Sequence, residues 1–174
     1  YTFSTHAIGT AAANRTVVVE ISGNGDPVAA ISTVTIGGLS ATLAIASTGT
    51  SQTVEIWYAD VPTETTGDIV VTFGGAVRGL GIGVYAAYGI DSASGPDSTG
   101  TSTASPASVS LHIPAGGVGL GVTLINDPTT GFTWANMTED WAGDVHTIHA
   151  WYGSGGSTVE AAEITPTVTV TYTP

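Results

Sequence analysis

The stretch Val54–Gly75, VEIWYADVPTETTGDIVVTFGG, leaves the rest of the chain little freedom. Val54, Ile56 and Tyr58 alternate with Glu55, Trp57 and Ala59, a period of two that puts one set of side chains on each face of a sheet. Asp60-Val61-Pro62 stops the ladder, because proline has no N–H to give. Thr63–Gly67 turns the chain, Gly67-Asp68 opens a second strand over Ile69–Phe73, and Gly74-Gly75 closes it. A chain centred on such a pair is built from sheets.

The same signals recur on both sides. Tyr1–Ile8, Arg15–Ser22, Ile31–Ile36 and Ser40–Ala46 read as strands before it. Arg78–Ile90, Ala107–Ile113, Val118–Ile125, the short Phe132–Trp134, Val145–Tyr152 and Thr165–Tyr172 follow, with Gly153–Ser157 as a loop. Within Arg78–Ile90, Gly79, Gly81 and Gly83 alternate with Leu80, Ile82 and Val84. One face of that strand is nearly bare, so either a large group or another backbone lies across it, or the sheet bends there. Asn136–Asp144 is polar and aromatic, and the nearest helix candidate, Met137–Ala142, is too short to stand alone. About ten to twelve short strands predict an all-β fold, a two-sheet antiparallel β-sandwich of jelly-roll type. Parallel α/β folds are excluded, since no crossover helix is present. The 174 residues make one domain, 1–174, with a polar surface excursion at 91–106.

Charge narrows the function classes. Only 9% of the residues are charged, yet the net charge is −12, and Arg15 and Arg78 are the only Lys/Arg residues. Nucleic-acid binding needs clustered Lys and Arg to displace counterions, so neither nucleic acid nor an anionic membrane surface is an expected partner. No apolar run reaches the length of a membrane-spanning helix, so no membrane insertion is expected. Hydrophobic residues make up 42%, which rules out a disordered chain. With no cysteine there is neither a disulfide framework nor a thiolate metal site. A start at Tyr1, inside an expected strand, reads as a processed chain or the ordered part of a longer one.

Arg15-Thr16-Val17-Val18-Val19, Val34-Thr35-Ile36-Gly37-Gly38 with Ala41-Thr42, Trp57–Thr63, Thr66–Phe73 and Pro114–Val118 together resemble the β-sandwich modules of structural proteins in alphaproteobacterial tailed phages and gene transfer agents. The resemblance spans roughly Tyr1 to Tyr172 and rests on turn and strand motifs. It implies a virion component, a head spike, tail fibre or capsid decoration module, at the virion surface or otherwise extracellular. Its implied partners are copies of itself in a homo-oligomer, other virion proteins and a host surface polysaccharide. It supplies no binding residue, and the absence of lysine departs from it. A stand-alone carbohydrate-binding module is one alternative. A surface-layer or pilus-like subunit is another; it would assemble by strand exchange, leaving Tyr1–Ile8 or Thr165–Pro174 unpaired in its own sheet.

Few side chains offer chemistry. Trp134 and Trp141, beside Asp140 and Asp127, match a glycan platform, in which a ring stacks on the sugar and carboxylates take its hydroxyls. Trp141, in a polar segment, is the ring expected to be exposed; the other reading buries these rings in a core or a subunit interface. Asp144 and His146, two apart in a strand, share a face and offer two metal ligands, whereas His149 points the other way; no third ligand is evident, and the other reading is a satisfied, partly buried histidine pair. Asn126, Asp127, Glu139 and Asp140, like Asp91 and Asp97, form oxygen-rich loops suited to a structural Ca²⁺ or simply to water. No nucleophile elbow is present, and Glu160 and Glu163, three apart in a strand, face opposite ways, so no enzyme activity is expected. If Ca²⁺ relieves the self-repulsion of the acidic chain, EDTA lowers the melting temperature; an unchanged temperature removes the ion from consideration.

Overall fold

The computed structural model describes residues 1–25, 27–90, 95–96, 100, 102–104, 106–126, 131–146 and 151–173. They hold fourteen strands and no helix. In chain order these are β1 (Thr2–Ala7), β2 (Arg15–Asn24), β3 (Ile31–Ile36), β4 (Leu39–Ser40), β5 (Thr42–Thr48), β6 (Gln52–Asp60) and β7 (Thr66–Phe73). Then come β8 (Gly79–Tyr88), β9 (Ala107–Ser110), β10 (Val118–Asn126), β11 (Gly131–Ala135), β12 (Thr138–His146), β13 (Trp151–Val159) and β14 (Thr167–Thr173). All pairings are antiparallel, as expected, but the strands form four sheets instead of two: β1-β7-β3-β4, β5-β6-β2-β8, β10-β13-β12 and β11-β14-β9.

The first two sheets enclose the main core. Val17, Val19 and Ile21 of β2 and Trp57 and Ala59 of β6 meet Val34 and Ile36 of β3 and Ile69 and Val71 of β7. Each such Val or Ile contributes roughly 1.5–3 kcal/mol through removal from water. The other face of β5-β6-β2-β8 carries the sheet β10-β13-β12: β12 packs on β8 and β2, and β10 on β2 and β6. Leu124, Val145 and Trp151, with Val54, form the apolar part of that seam. The last sheet covers the far side, where Trp134 of β11 lies against Gly121 and Gly156. β2 is therefore covered on both faces and paired on both edges, and every one of its residues is buried.

The two halves repeat one plan. Replace β1, β7 and β3 by β9, β14 and β11, and β5, β6 and β2 by β12, β13 and β10, and the second pair of sheets has the order of the first. The counterparts follow each other in the same chain order. Even the turn after β3, with Gly37 at φ 58°, recurs after β11 with Asn136 at φ 64°, the left-handed region that Gly and Asn tolerate best. Only β4 and β8 have no counterpart among the described residues.

Two sequence expectations change. Gly153–Ser157 is no loop but the middle of β13, buried where both faces of its sheet are covered. Asn136–Asp144 is mostly β12, with register shifts between Glu139 and Trp141 and between Asp144 and His146 that break the alternation a strand shows in sequence.

Arg15, 1% exposed, ties the end of the first sandwich. Its Nε donates to Val61 O at 2.7 Å, Nη1 to Gly9 O at 2.7 Å and Nη2 to Thr63 O at 2.6 Å, so one guanidinium joins the β1–β2 and β6–β7 loops. Arg15→Met leaves these carbonyls without that donor and is expected to lower stability by about 3–5 kcal/mol in urea unfolding. A loss below about 1 kcal/mol would mean that water or other donors serve them equally well.

Candidate functional site

The seam between the two sandwiches is where this chain concentrates its buried polar chemistry. β2 turns Glu20, Ser22 and Asn24 toward the second sandwich, all fully buried. Trp141 Nε1 donates to Glu20 Oε2 at 3.0 Å, and the Tyr85 hydroxyl donates to the same oxygen at 3.1 Å. Glycines make room for this. A Cβ at Gly83 of β8 would strike the Trp141 indole, and one at Gly155 of β13 would strike both that ring and the Glu20 carboxylate. The nearly bare face of β8 thus has Trp141 and the β12 backbone across it, the close approach its alternating glycines implied.

Burial pushes the Glu20 carboxyl up to about 8, against the lowering effect of the Trp141 and Tyr85 bonds. Burial, and then the Glu20 and Asp140 carboxylates, push the Tyr85 phenol up as well. A second carboxyl, Glu55, sits inside the first sandwich; burial raises it, while the Trp57 indole at 2.7 Å and the Thr53 hydroxyl at 3.0 Å donate to it. Glu20 Oε1, Ser22 Oγ and both amide atoms of Asn24 have no protein partner, which leaves a polar row inside the seam.

The residues expected to meet a ligand have these places. Trp141 is half-buried, with its N–H on Glu20 and not on the surface. Trp134 donates Nε1 to Ser154 Oγ at 2.9 Å, and Ser154, fully buried, donates in turn to Glu139 Oε2 at 3.0 Å. Asp140 and Asp144 are exposed. Asp127, like His149, Asp91 and Asp97, lies outside the described residues. The register shift between Asp144 and His146 removes the reason for placing that pair on one face, since a spacing of two no longer means a shared side. Among the described residues no three His, Asp or Glu side chains gather as metal ligands. Glu163 pairs with His112 at 3.2 Å on the surface.

A large concave feature lies elsewhere. Among the described residues β10 ends its sheet, and it borders a cleft of about 960 Å³ that Gly95, Pro96 and Gly100 of the β8–β9 connection also line. One wall is the outer face of β5 and β6, with Val54, Ile56 and Tyr58; the other includes Val109 of β9 and Val170 of β14. All of β10 lines it. That volume stands at the upper end of the range for small-molecule pockets, and the walls are mostly aliphatic. Sequence reasoning missed both features. Glu20 carries no motif, being a lone carboxylate in the run Val17-Val18-Val19-Glu20-Ile21, and the cleft is visible only once the repeat is recognised. Compared with known families, curated proteins and solved structures, the chain matches none.

Glu20 makes stability fall with pH. Its folded-state pKa lies above the unfolded one, so the folded form holds a proton that the unfolded form releases. Stability is full below the unfolded value near 4.5 and is lost as pH rises toward about 8, on the order of a few kcal/mol in all. Melting temperatures of the parent and of Glu20→Gln are expected to converge near pH 4.5 and to diverge by pH 8, the parent falling. Parallel curves would show Glu20 ionised in the fold at neutral pH.

Proposed function

We propose that this chain is a structural, non-enzymatic module of a phage-like particle, an exposed head or tail component that acts through contacts with other polypeptides. One observation carries the reading: the indole N–H groups of Trp141 and Trp134, which a sugar platform would turn to its ligand, are both taken up by partners within the protein. Trp141 and Tyr85 hold Glu20, and Trp134 holds Ser154 and through it Glu139. Trp141 ties β12 to β2 across the seam, and Trp134 ties the two sheets of the second sandwich to each other. The cleft beside β10 has mostly aliphatic walls, which suit polypeptide better than a sugar. The resemblance of the turn and strand motifs to phage and gene-transfer-agent modules points the same way.

The strand-exchange alternative expected an unpaired terminal strand. β1 is paired with β7, and β14 lies between β11 and β9, so neither of these strands is left unpaired as a donor.

Density-gradient fractions of particles from the source culture test the reading. Peptides of this chain are expected in the particle peak by mass spectrometry, and an antibody to it is expected to label intact particles. Recovery only in particle-free fractions overturns the proposal.

A further inference from the structure

The seam is a poorer apolar junction than the first core. That core closes on eleven buried hydrophobic residues, whereas the apolar part of the seam is Leu124, Val145 and Trp151 with Val54. At the centre of the seam lies a polar row, Glu20, Ser22 and Asn24, each fully buried. Glu20 Oε1, Ser22 Oγ and the Asn24 amide have no protein partner. Against this row β8 and β13 set glycines, and β12 sets Trp141 and Val145. Few side chains interlock there, and the unpartnered atoms favour contact with water.

The surroundings of Glu20 suit a neutral carboxyl. On β8 the Tyr85 hydroxyl donates to it, and Gly83 stands opposite it in the ladder. On β12 Trp141 donates to it, while the Asp140 carboxylate opposes a second negative charge. β13 brings Gly155, and β10 the backbone of Gly121. On β6 Ile56 lies opposite, with Tyr58 two residues along. None of these groups is a cation, so none of them balances a charge on this carboxyl.

We propose that the seam is a pH-sensitive joint: loss of the Glu20 proton to solvent parts the second sandwich from the first, while the first core stays closed. The charged carboxylate reaches water by leaving Trp141 and Gly155, and both belong to the second sandwich. Tyr85 stays with Glu20, because β8 and β2 are paired in one sheet. Parting also hydrates Ser22 and Asn24, which lowers its cost. The other face of β2, with Val17, Val19 and Ile21, keeps its contacts in the first core. The stability that Glu20 withdraws as pH rises is therefore lost at the seam first, as a local opening.

The chain has no cysteine, so a single introduced thiol reports which face of β2 opens. Ser22→Cys places one in the seam, and Val19→Cys places one in the first core on the same strand. Thr72→Cys, at an exposed position, is the reference that corrects for thiol ionisation. Labelling of the full chain with iodoacetamide is followed at about pH 6 and about pH 9, on either side of the Glu20 transition. Relative to Thr72→Cys, the Ser22→Cys thiol is expected to react at least about tenfold faster at the higher pH, with Val19→Cys protected at both. Adding Glu20→Gln, which has no proton to lose, is expected to abolish the difference at Ser22→Cys. Should Ser22→Cys fail to fold, small-angle X-ray scattering of the parent gives the same reading. Its radius of gyration is expected to rise between the two pH values with the far-UV circular dichroism unchanged, and that of Glu20→Gln to stay constant. Protection of Ser22→Cys at both pH values, exposure of Val19→Cys together with it, or a response that survives Glu20→Gln overturns the proposal. An unchanged radius of gyration in the parent overturns it as well.

Discussion

Burial of β2 on both faces is the constraint on which the rest depends. A strand covered on one side can send every second residue to water, but β2 has the first core on one side and the second sandwich on the other. Its polar residues are therefore cut off from bulk water, where an unpaired buried group costs about 1–3 kcal/mol, and Ser22 and Asn24 have no protein partner for their side chains. Glu20 finds Trp141 and Tyr85, and Thr16 donates to Asp60 at 2.7 Å. Glu20 is the extreme case. Its carboxyl is held protonated near neutral pH, because a charge at that place would have to be removed from water without a cation beside it.

That constraint accounts for the composition of the strands around it. Two sheets meeting through a carboxyl, an indole and a phenol need space, and the glycines of β8 and β13 supply it. Glycine weakens an isolated strand, but here it admits rings and a carboxyl that bond across the seam. The aromatic residues that in sequence resemble a ligand platform are instead the pegs between layers, which is the usual fate of a tryptophan whose N–H has a buried acceptor.

Much of the architecture is legible in the sequence, and the reason is local. The β-branched run Arg15–Ser22, the alternation of Val54–Ala59 and the Gly-Gly turns each specify strand or turn without reference to distant residues. The places where the reading fails are also physical. Gly153–Ser157 looks like a loop because its residues are small and polar, yet it is a strand because both faces of its sheet are covered and small residues are what fit. Asp144 and His146 look co-facial because a period of two is assumed, and the register shift between them breaks that period. Trp141 looks exposed because its sequence neighbours are polar, whereas its partner Glu20 is far away in the chain.

One pattern occurs twice in this chain and marks the boundary between the two kinds of information. Gly79-Leu80-Gly81-Ile82 and Gly119-Leu120-Gly121-Val122 are almost the same words. In β8 Gly81 faces the seam and the aliphatic residues enter the first core; in β10 Gly119 and Gly121 face Met137 inside the second sandwich, and Leu124, in phase with Leu120 and Val122, enters the seam. The sequence by itself determined that these are strands with one bare face and one apolar face, since alternation is a property of the backbone alone. Which face meets which layer, and which strand edge β8 closes, only the tertiary structure decided, because those depend on sheets assembled from residues far apart in the chain.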